Sequence, residues 1–210
     1  MQKDLSPFSS LNNYEITVKP KPLKDAKYLT PRDIIVMNIL KSCGAAAGFQ
    51  LEWLWSMNGR RMLKKMADIG LIMRTRLEGK SYKLNVYSLA PQGVGVFLRG
   101  MAFCQLYLRM RAVGPCSAAL VPWPLTGVLR FNGVLFGVLV VRAGDKIDPV
   151  WFRDVDRLII IAEAITPEVL HLPFPYRLTT DGALLDNPLE ETFFKPDGSP
   201  EIILKKVLAS

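Results

Sequence analysis

Residues Ser56–Ile72 read SMNGRRMLKKMADIGLI and hold two adjacent basic pairs, Arg60-Arg61 and Lys64-Lys65, ahead of Gly70 and a short apolar run. Met62, Leu63, Met66 and Ile69 recur at spacings of one, three and three. That rhythm predicts a helix from a cap at Ser56 or Asn58 to about Ile69, with Gly70 as its stop. The opposite side carries Arg60, Arg61, Lys64, Lys65 and Asp68. Like charges one turn apart repel by about 0.2–0.5 kcal/mol per pair. Such a face is either simply solvated or normally lies against something negative.

Upstream, LTPRDIIVMNILKSCG predicts a first helix: Thr30 as N-cap, Pro31 at the first helical position, a broad apolar side from Ile34 to Leu40, and Gly44 as its end. The run AAAGFQLEWLW predicts a second, short helix. Downstream, LIMRTRL and SYKLNVYSLA alternate with period two and are joined by EGK around Gly79. This reads as a β-hairpin. Helix, helix, basic helix, hairpin is the order of a winged helix-turn-helix spanning residues 28–90, with Gly79-Lys80 at the tip of the wing. Residues 1–27 show no sustained periodicity and read as a polar, flexible arm.

Charge sharpens the reading. The formal net charge is +8, and Ser56 to Lys83 alone carries eight Lys+Arg against Asp68 and Glu78. A positive patch in this frame points to double-stranded DNA. Asn58, Arg60 and Arg61 would approach base edges, and Lys64 and Lys65 would reach phosphates. Arg74, Arg76, Lys80 and Lys83 would flank the wing and meet the backbone or the minor groove.

The features YLTPRD, RRMLKKMADIGLIMR and YSLAPQGV resemble the replication-relaxation family of plasmid and conjugative-element proteins. The matched positions are Leu29, Thr30 and Asp33, then Asp68 to Leu71, then Leu89, Pro91 and Gly93. The resemblance covers about a third of the chain. It implies a DNA-binding protein of a plasmid, phage or integrative element, acting in replication, transfer or transcriptional control. It also implies a following domain of restriction-endonuclease type, with an Asp ahead of one strand and a Glu in the next. WPLTGVLRFNGVLFGVLVVRAGD has that shape without the acids: Thr126 and Gly127 stand near the expected Asp, and Leu139, Val140 and Val141 where the Glu belongs. A nuclease of this type needs clustered carboxylates for a divalent metal, so this departure argues against catalysis.

The rest of the chain predicts an α+β protein. A long helix opens at Pro91 and runs to about Val113. Its seam of Val94, Phe97, Met101, Cys104 and Leu108 serves either as intrachain core or as a homodimer contact. Residues 120–210 read as a small α/β domain. GVLRFNG and VLFGVLVVRAG are strands, Asp148-Pro149 opens a helix through VWFRDVDRLIIIAEAI, EVLHLPF is a short strand, and two strands flank Asp197-Gly198. The acids of this half are Asp145, Asp148, Asp154, Asp156, Glu163, Asp181, Asp186, Glu190 and Glu191. Asp148 reads as a cap, and Asp154 and Asp156 lie beside Arg153 and Arg157 on an exposed helix face. The single histidine, His171, between Leu170 and Leu172, reads as structural. No catalytic residue, metal ligand or cofactor is assigned. A metal-dependent nuclease with a divergent site, and a winged helix that binds protein, are the rival readings.

The first fifteen residues hold no apolar core of a leader, and Val128 to Val141 falls short of the roughly 20 residues of a membrane span. Cys43, Cys104 and Cys116 match no zinc spacing, so the expectation is reduced thiols in a cytoplasmic protein without membrane contact.

Overall fold

The structure is a computed structural model that describes residues 5–18, 29–55, 57–152, 155–170, 172–173, 175–195 and 197–201. It is a mixed α+β protein. The chain divides between Cys104 and Gln105 into two compact units.

In the first unit, α1 (Pro31–Cys43) starts where its cap demands. Asp33 N–H donates to Thr30 Oγ1 at 3.2 Å, and Thr30 N–H donates back to Asp33 Oδ2 at 2.9 Å. This reciprocal pair satisfies two of the orphan donors of the first turn. Gly44, at φ 80°, ends the helix with its N–H on Leu40 O. The chain then departs from expectation. Ala45–Ala47 is strand β2, not helix, and only Gly48–Glu52 forms α2. The three alanines are fully buried, and alanine's helix preference is weak beside the backbone bonds they make to another strand. Gln50 fixes the turn: its Oε1 accepts from Ala47 N–H at 2.8 Å and its Nε2 donates to Met101 O at 2.9 Å.

Helix α3 (Gly59–Asp68) follows. A Cβ on Gly59 would lie within 2.6 Å of Glu52 Cα and overlap the Glu52 carbonyl oxygen, so only glycine lets α3 begin this close to α2. At its far end Gly70 N–H donates to Ala67 O and Leu71 N–H to Met66 O, with Gly70 at φ 80°. That crossed pair is a Schellman close. Strands β3 (Met73–Glu78) and β4 (Lys83–Ser88) form the expected hairpin, paired from Met73↔Ser88 to Glu78↔Lys83. β2 pairs antiparallel with β4 on its other side, Ala45↔Ser88 to Ala47↔Val86.

The reading of residues 1–27 as a flexible arm fails for residues 5–18. Ser10–Asn12 is a 3-10 turn, and strand β1 (Glu15–Val18) pairs antiparallel with β3. Phe8 and Tyr14 are buried. The sheet order is therefore β1-β3-β4-β2, and the unit extends beyond 28–90 at both ends. The lysine-rich run from Lys19 to Lys27 lies outside the described residues.

Helix α4 (Val94–Val113) runs through the division between the units. The second unit is a seven-stranded mixed sheet. β5 (Cys116–Leu120), β6 (Gly127–Phe131) and β7 (Val134–Val141) are an antiparallel meander, and β7, β8 (Leu158–Ala162) and β9 (Tyr176–Thr180) run parallel. β10 (Phe193–Phe194) and β11 (Pro200–Glu201) continue antiparallel around Asp197-Gly198. β7 has neighbours on both sides, as its unbroken apolar run requires.

Two expectations are overturned here. The helix from Asp148 is a 3-10 turn over Pro149–Phe152, and the run Leu158–Ala162 is strand β8, every residue of it buried. Three consecutive isoleucines suit a central strand and crowd a helix. Asp156 and Arg157 therefore sit in an exposed bend, while Arg153 and Asp154 lie outside the described residues. EVLHLPF is not a strand: Pro167–Leu170 is a single helical turn, α5, and His171 lies outside the described residues. After β9, α6 (Asp181–Asp186) is capped by Thr180, whose Oγ1 accepts from Ala183 N–H. Val141, Phe152, Ile160, Val169 and Leu178 belong to the core of this unit.

Candidate nucleic-acid interface

The basic helix sorts its side chains as the sequence pattern requires. Gly59, Leu63, Met66 and Ala67 of α3 are buried. Arg60, Arg61, Lys64 and Lys65 are exposed, and so is Asn58 before the helix. Asn58 makes no side-chain capping bond, so its amide stays available at the start of the helix. Arg60 is 84% exposed and its Nε lies 3.5 Å from Glu52 Oε1 at the end of α2.

The hairpin divides in the same way. Thr75 and Leu77 of β3 are buried, while Arg74, Arg76 and Glu78 point to the other face. Across from them stand Tyr87, Asn85 and Lys83 of β4, and Thr17 and Glu15 of β1 lie opposite Arg76 and Glu78. Arg76 Nε is paired with Glu78 Oε1. Lys80 and Lys83 are exposed at the tip, where Lys80 N–H donates to Asn12 O at 3.0 Å.

Tyr87 ties these elements together. Its phenol is buried, which raises its pKa, and Arg74 opposes that rise. Glu52, Arg60 and Asp68 also act on the hydroxyl. Residues of α2, α3 and β3 thus share one electrostatic neighbourhood. Between the C-terminal end of α3 and the β1–β3–β4 face lies a groove of about 480 Å³, lined by Asp68, Arg74, Arg76, Asn85 and Thr17 among others. A second hollow of about 520 Å³, between the starts of α1 and α3, brings Arg32 beside Asn58. Such a surface can place cations and amide donors along a polyanion.

All nine residues picked from the sequence lie on this unit, and the groove gathers Arg74 and Arg76. Thr17, Asn85 and Arg32 were missed. Thr17 lies in the stretch whose sequence reads as a flexible arm. Asn85 shares its side of β4 with Lys83 and Tyr87, a signal that the period-two pattern holds.

The homodimer seam does not survive. Phe97, Met101 and Cys104 are fully buried within the single chain, and Val94 and Leu108 are half-buried. Three of its five side chains are core and cannot also face a second copy.

In the second unit, Thr126 and Val140 prove to be neighbours: Val140 N–H donates to Thr126 Oγ1 at 3.0 Å. A side-chain hydroxyl there meets a backbone amide. The charged group of this unit is elsewhere, where the three parallel strands end. Arg142 follows β7, Glu163 follows β8 and Asp181 follows β9. Arg142 Nη1 lies 3.2 Å from Asp181 Oδ2, and its Nε lies 3.8 Å from Glu163 Oε1. The three side chains are 3%, 0% and 9% exposed. Asp145 accepts from Arg142 N–H at 2.7 Å. Among the described residues, no three His, Cys, Asp or Glu gather in a way that could hold a metal ion. Arg142, between its two carboxylates, instead pins the ends of the parallel strands.

Cys43 and Cys104 are buried and Cys116 is half-buried, and none of the three is in a disulfide. Burial pushes the Cys116 thiol up to about 11, against the opposing charge of Arg111. No described helix is long and apolar enough to cross a membrane. No family model matches the chain, and no curated protein or solved structure matches it.

Proposed function

We propose that the first unit is a winged helix-turn-helix that binds double-stranded DNA, with α3 as its recognition helix and the β3–β4 hairpin as its wing. The order α1, β2, α2, α3, β3, β4, with β2 returning to pair with β4, supports this reading. The observation that carries it is the placement of Arg60, Arg61, Lys64 and Lys65: they are exposed on α3, while Leu63 and Met66 on its other side are buried. In this reading Asn58, Arg60 and Arg61 face base edges, and Lys64 and Lys65 hold phosphates. Arg74, Arg76, Lys80 and Lys83 take the flanking backbone or minor groove. The setting implied by the family resemblance is replication, transfer or transcriptional control on a plasmid, phage or integrative element.

The second unit, in this reading, is a restriction-endonuclease-like domain without nuclease chemistry. Its strands β5 to β9 lie side by side in sequence order, an antiparallel meander followed by parallel strands. Thr126 and Gly127 stand near the expected Asp, and Leu139, Val140 and Val141 where the Glu belongs, while Arg142 fills the neighbouring strand end with a buried ion pair.

The test is fluorescence anisotropy on duplexes from the protein's own genetic neighbourhood across a salt series, with and without Mg²⁺. If six phosphates are engaged, log K falls with log salt at a slope of about −5. Replacing Arg60, Arg61, Lys64 and Lys65 with alanine should abolish binding and leave the melting temperature in place. Absence of a salt-sensitive signal would make the unit a protein-interaction module, and Mg²⁺-dependent cleavage would make the chain a nuclease.

A further inference from the structure

The β3–β4 hairpin is held by a segment that precedes it by some sixty residues. We propose that residues 6–18 are a positioning strap that fixes the hairpin before DNA arrives, so that affinity depends on side chains that never touch the duplex. The inference rests on the DNA-binding reading above.

Three sets of contacts carry it. First, β1 pairs with β3 from Glu15↔Glu78 to Val18↔Thr75, which makes β3 an interior strand of the sheet instead of an edge. Second, the strap reaches the tip. Asn12 O accepts from Lys80 N–H at 3.0 Å, beside the tip's own bond from Gly79 N–H to Tyr82 O at 2.9 Å. A Cβ on Gly79 would lie 2.8 Å from both Asn12 O and the Tyr14 ring. Gly79 is not at a positive φ, so the glycine answers the strap's close approach and not a strained turn. Third, the strap is anchored in itself and on α2. Tyr14 Oη donates to Pro7 O at 2.8 Å, and Asn12 Nδ2 donates to Ser6 O at 2.8 Å and to Ser9 O at 3.2 Å. Phe8 is fully buried and stacks on Phe49 of α2, centroids 6.1 Å apart and rings 15° from parallel.

β2 reaches only Val86 to Ser88, so toward the tip, from Arg76↔Asn85 to Glu78↔Lys83, the hairpin without β1 is a two-stranded ribbon, which is only marginally ordered in water. A wing that must order on binding loses affinity to that ordering, and one held in advance does not. The strap also sets Thr17 directly across from Arg76 on the groove face.

The test uses the full chain with Tyr14→Ala, Gly79→Ala and the double variant, read by amide hydrogen exchange and by anisotropy on one duplex at fixed salt. Tyr14→Ala should speed exchange of the Lys80 and β3 amides by about tenfold or more while the Leu40 and Met66 amides keep their protection, which marks local release and not unfolding. Affinity should fall about five- to tenfold with the salt slope unchanged, because no phosphate-binding charge has been removed. Gly79→Ala should act in the same direction, and the double variant should lose less than the sum, since the Tyr14 ring is one of the two groups the new methyl meets. Unchanged Lys80 exchange in both single variants overturns the strap. Faster exchange with full affinity overturns its role in binding. A wild-type chain that binds no duplex overturns the DNA-binding reading and the affinity half of this one, and the exchange data then decide the strap alone.

Discussion

Removing the Arg142 guanidinium should cost the second unit far more than an ordinary surface ion pair would. The perturbation is Arg142→Met, which keeps the length of the stem and deletes the charge. Its side chain is 3% exposed, and the partners it would leave behind, Asp181 and Glu163, are 0% and 9% exposed. An exposed pair contributes about 0–1 kcal/mol. A buried pair stripped of one partner costs about 3–5 kcal/mol, because the remaining charge is desolvated without compensation. Here two carboxylates lose the same guanidinium, so the upper part of that range applies at neutral pH. For a unit of this size each kcal/mol moves Tm by about 4–8 °C, so a fall of some 15 °C or more is expected. Circular dichroism melts and urea titrations of the full chain read the effect. A triple variant, Arg142→Met with Glu163→Leu and Asp181→Leu, removes the ions together and should recover most of the loss. A change below about 1 kcal/mol in Arg142→Met, or a triple variant worse than the single one, would refute the claim that the triad pins the strand ends.

Lys64→Ala with Lys65→Ala should lower the salt slope of duplex binding by about 2, whatever the base sequence, because each lysine is assigned to a phosphate. Gly59→Ala should destabilise the first unit by more than Gly70→Ala in urea melts. The former drives a methyl into the Glu52 backbone, and the latter meets the left-handed penalty of about 1–2 kcal/mol. Alkylation of Cys116 should be slow at pH 8 and speed up as pH rises toward 11, since burial holds the thiol protonated until then. Rapid labelling at neutral pH, resolved by peptide mass, would contradict that burial.

The parts of the fold that could be read from sequence are those in which local chemistry and burial agree. Thr30-Pro31 capped α1, Gly70 closed α3, and the Arg74/Arg76 alternation placed β3. Errors arose where a local signal competed with a distant partner. Ala45–Ala47 has the composition of a helix, yet the free edge of β4 claims it. Asp148-Pro149 caps a turn that goes nowhere, because Leu158–Ala162 lies between β7 and β9. β1 is exposed along its length and carries no burial pattern, so only its partner β3 reveals it. The Arg142 triad spans about forty residues of chain, beyond the reach of any window. Even so, each of its members stands one residue after a strand, and that placement after apolar runs was a usable sign.

The cationic stripe also carries an internal tension whose resolution decides how the interface works. Arg60 with Lys64, and Arg61 with Lys65, stand one turn apart and each pair costs a few tenths of a kcal/mol, about 0.2–0.5. Burial of Leu63 and Met66 on the other side of α3 contributes about 1.5–3 kcal/mol each, so the helix holds despite the repulsion. Two of the arginines are already met by carboxylates, Arg60 by Glu52 and Arg76 by Glu78. Both pairs are well exposed and so are worth about 0–1 kcal/mol each. A phosphate competes on better terms, because neutralising it also releases a condensed counterion. In the proposed DNA-binding reading the acids are weak placeholders that a phosphate displaces. Replacing Glu52 or Glu78 with glutamine should tighten duplex binding modestly and erode discrimination between sequences, since a free arginine takes any phosphate. If Glu52→Gln and Glu78→Gln both weaken binding, the carboxylates are part of the contact and the stripe is not acting as a simple polyanion receptor.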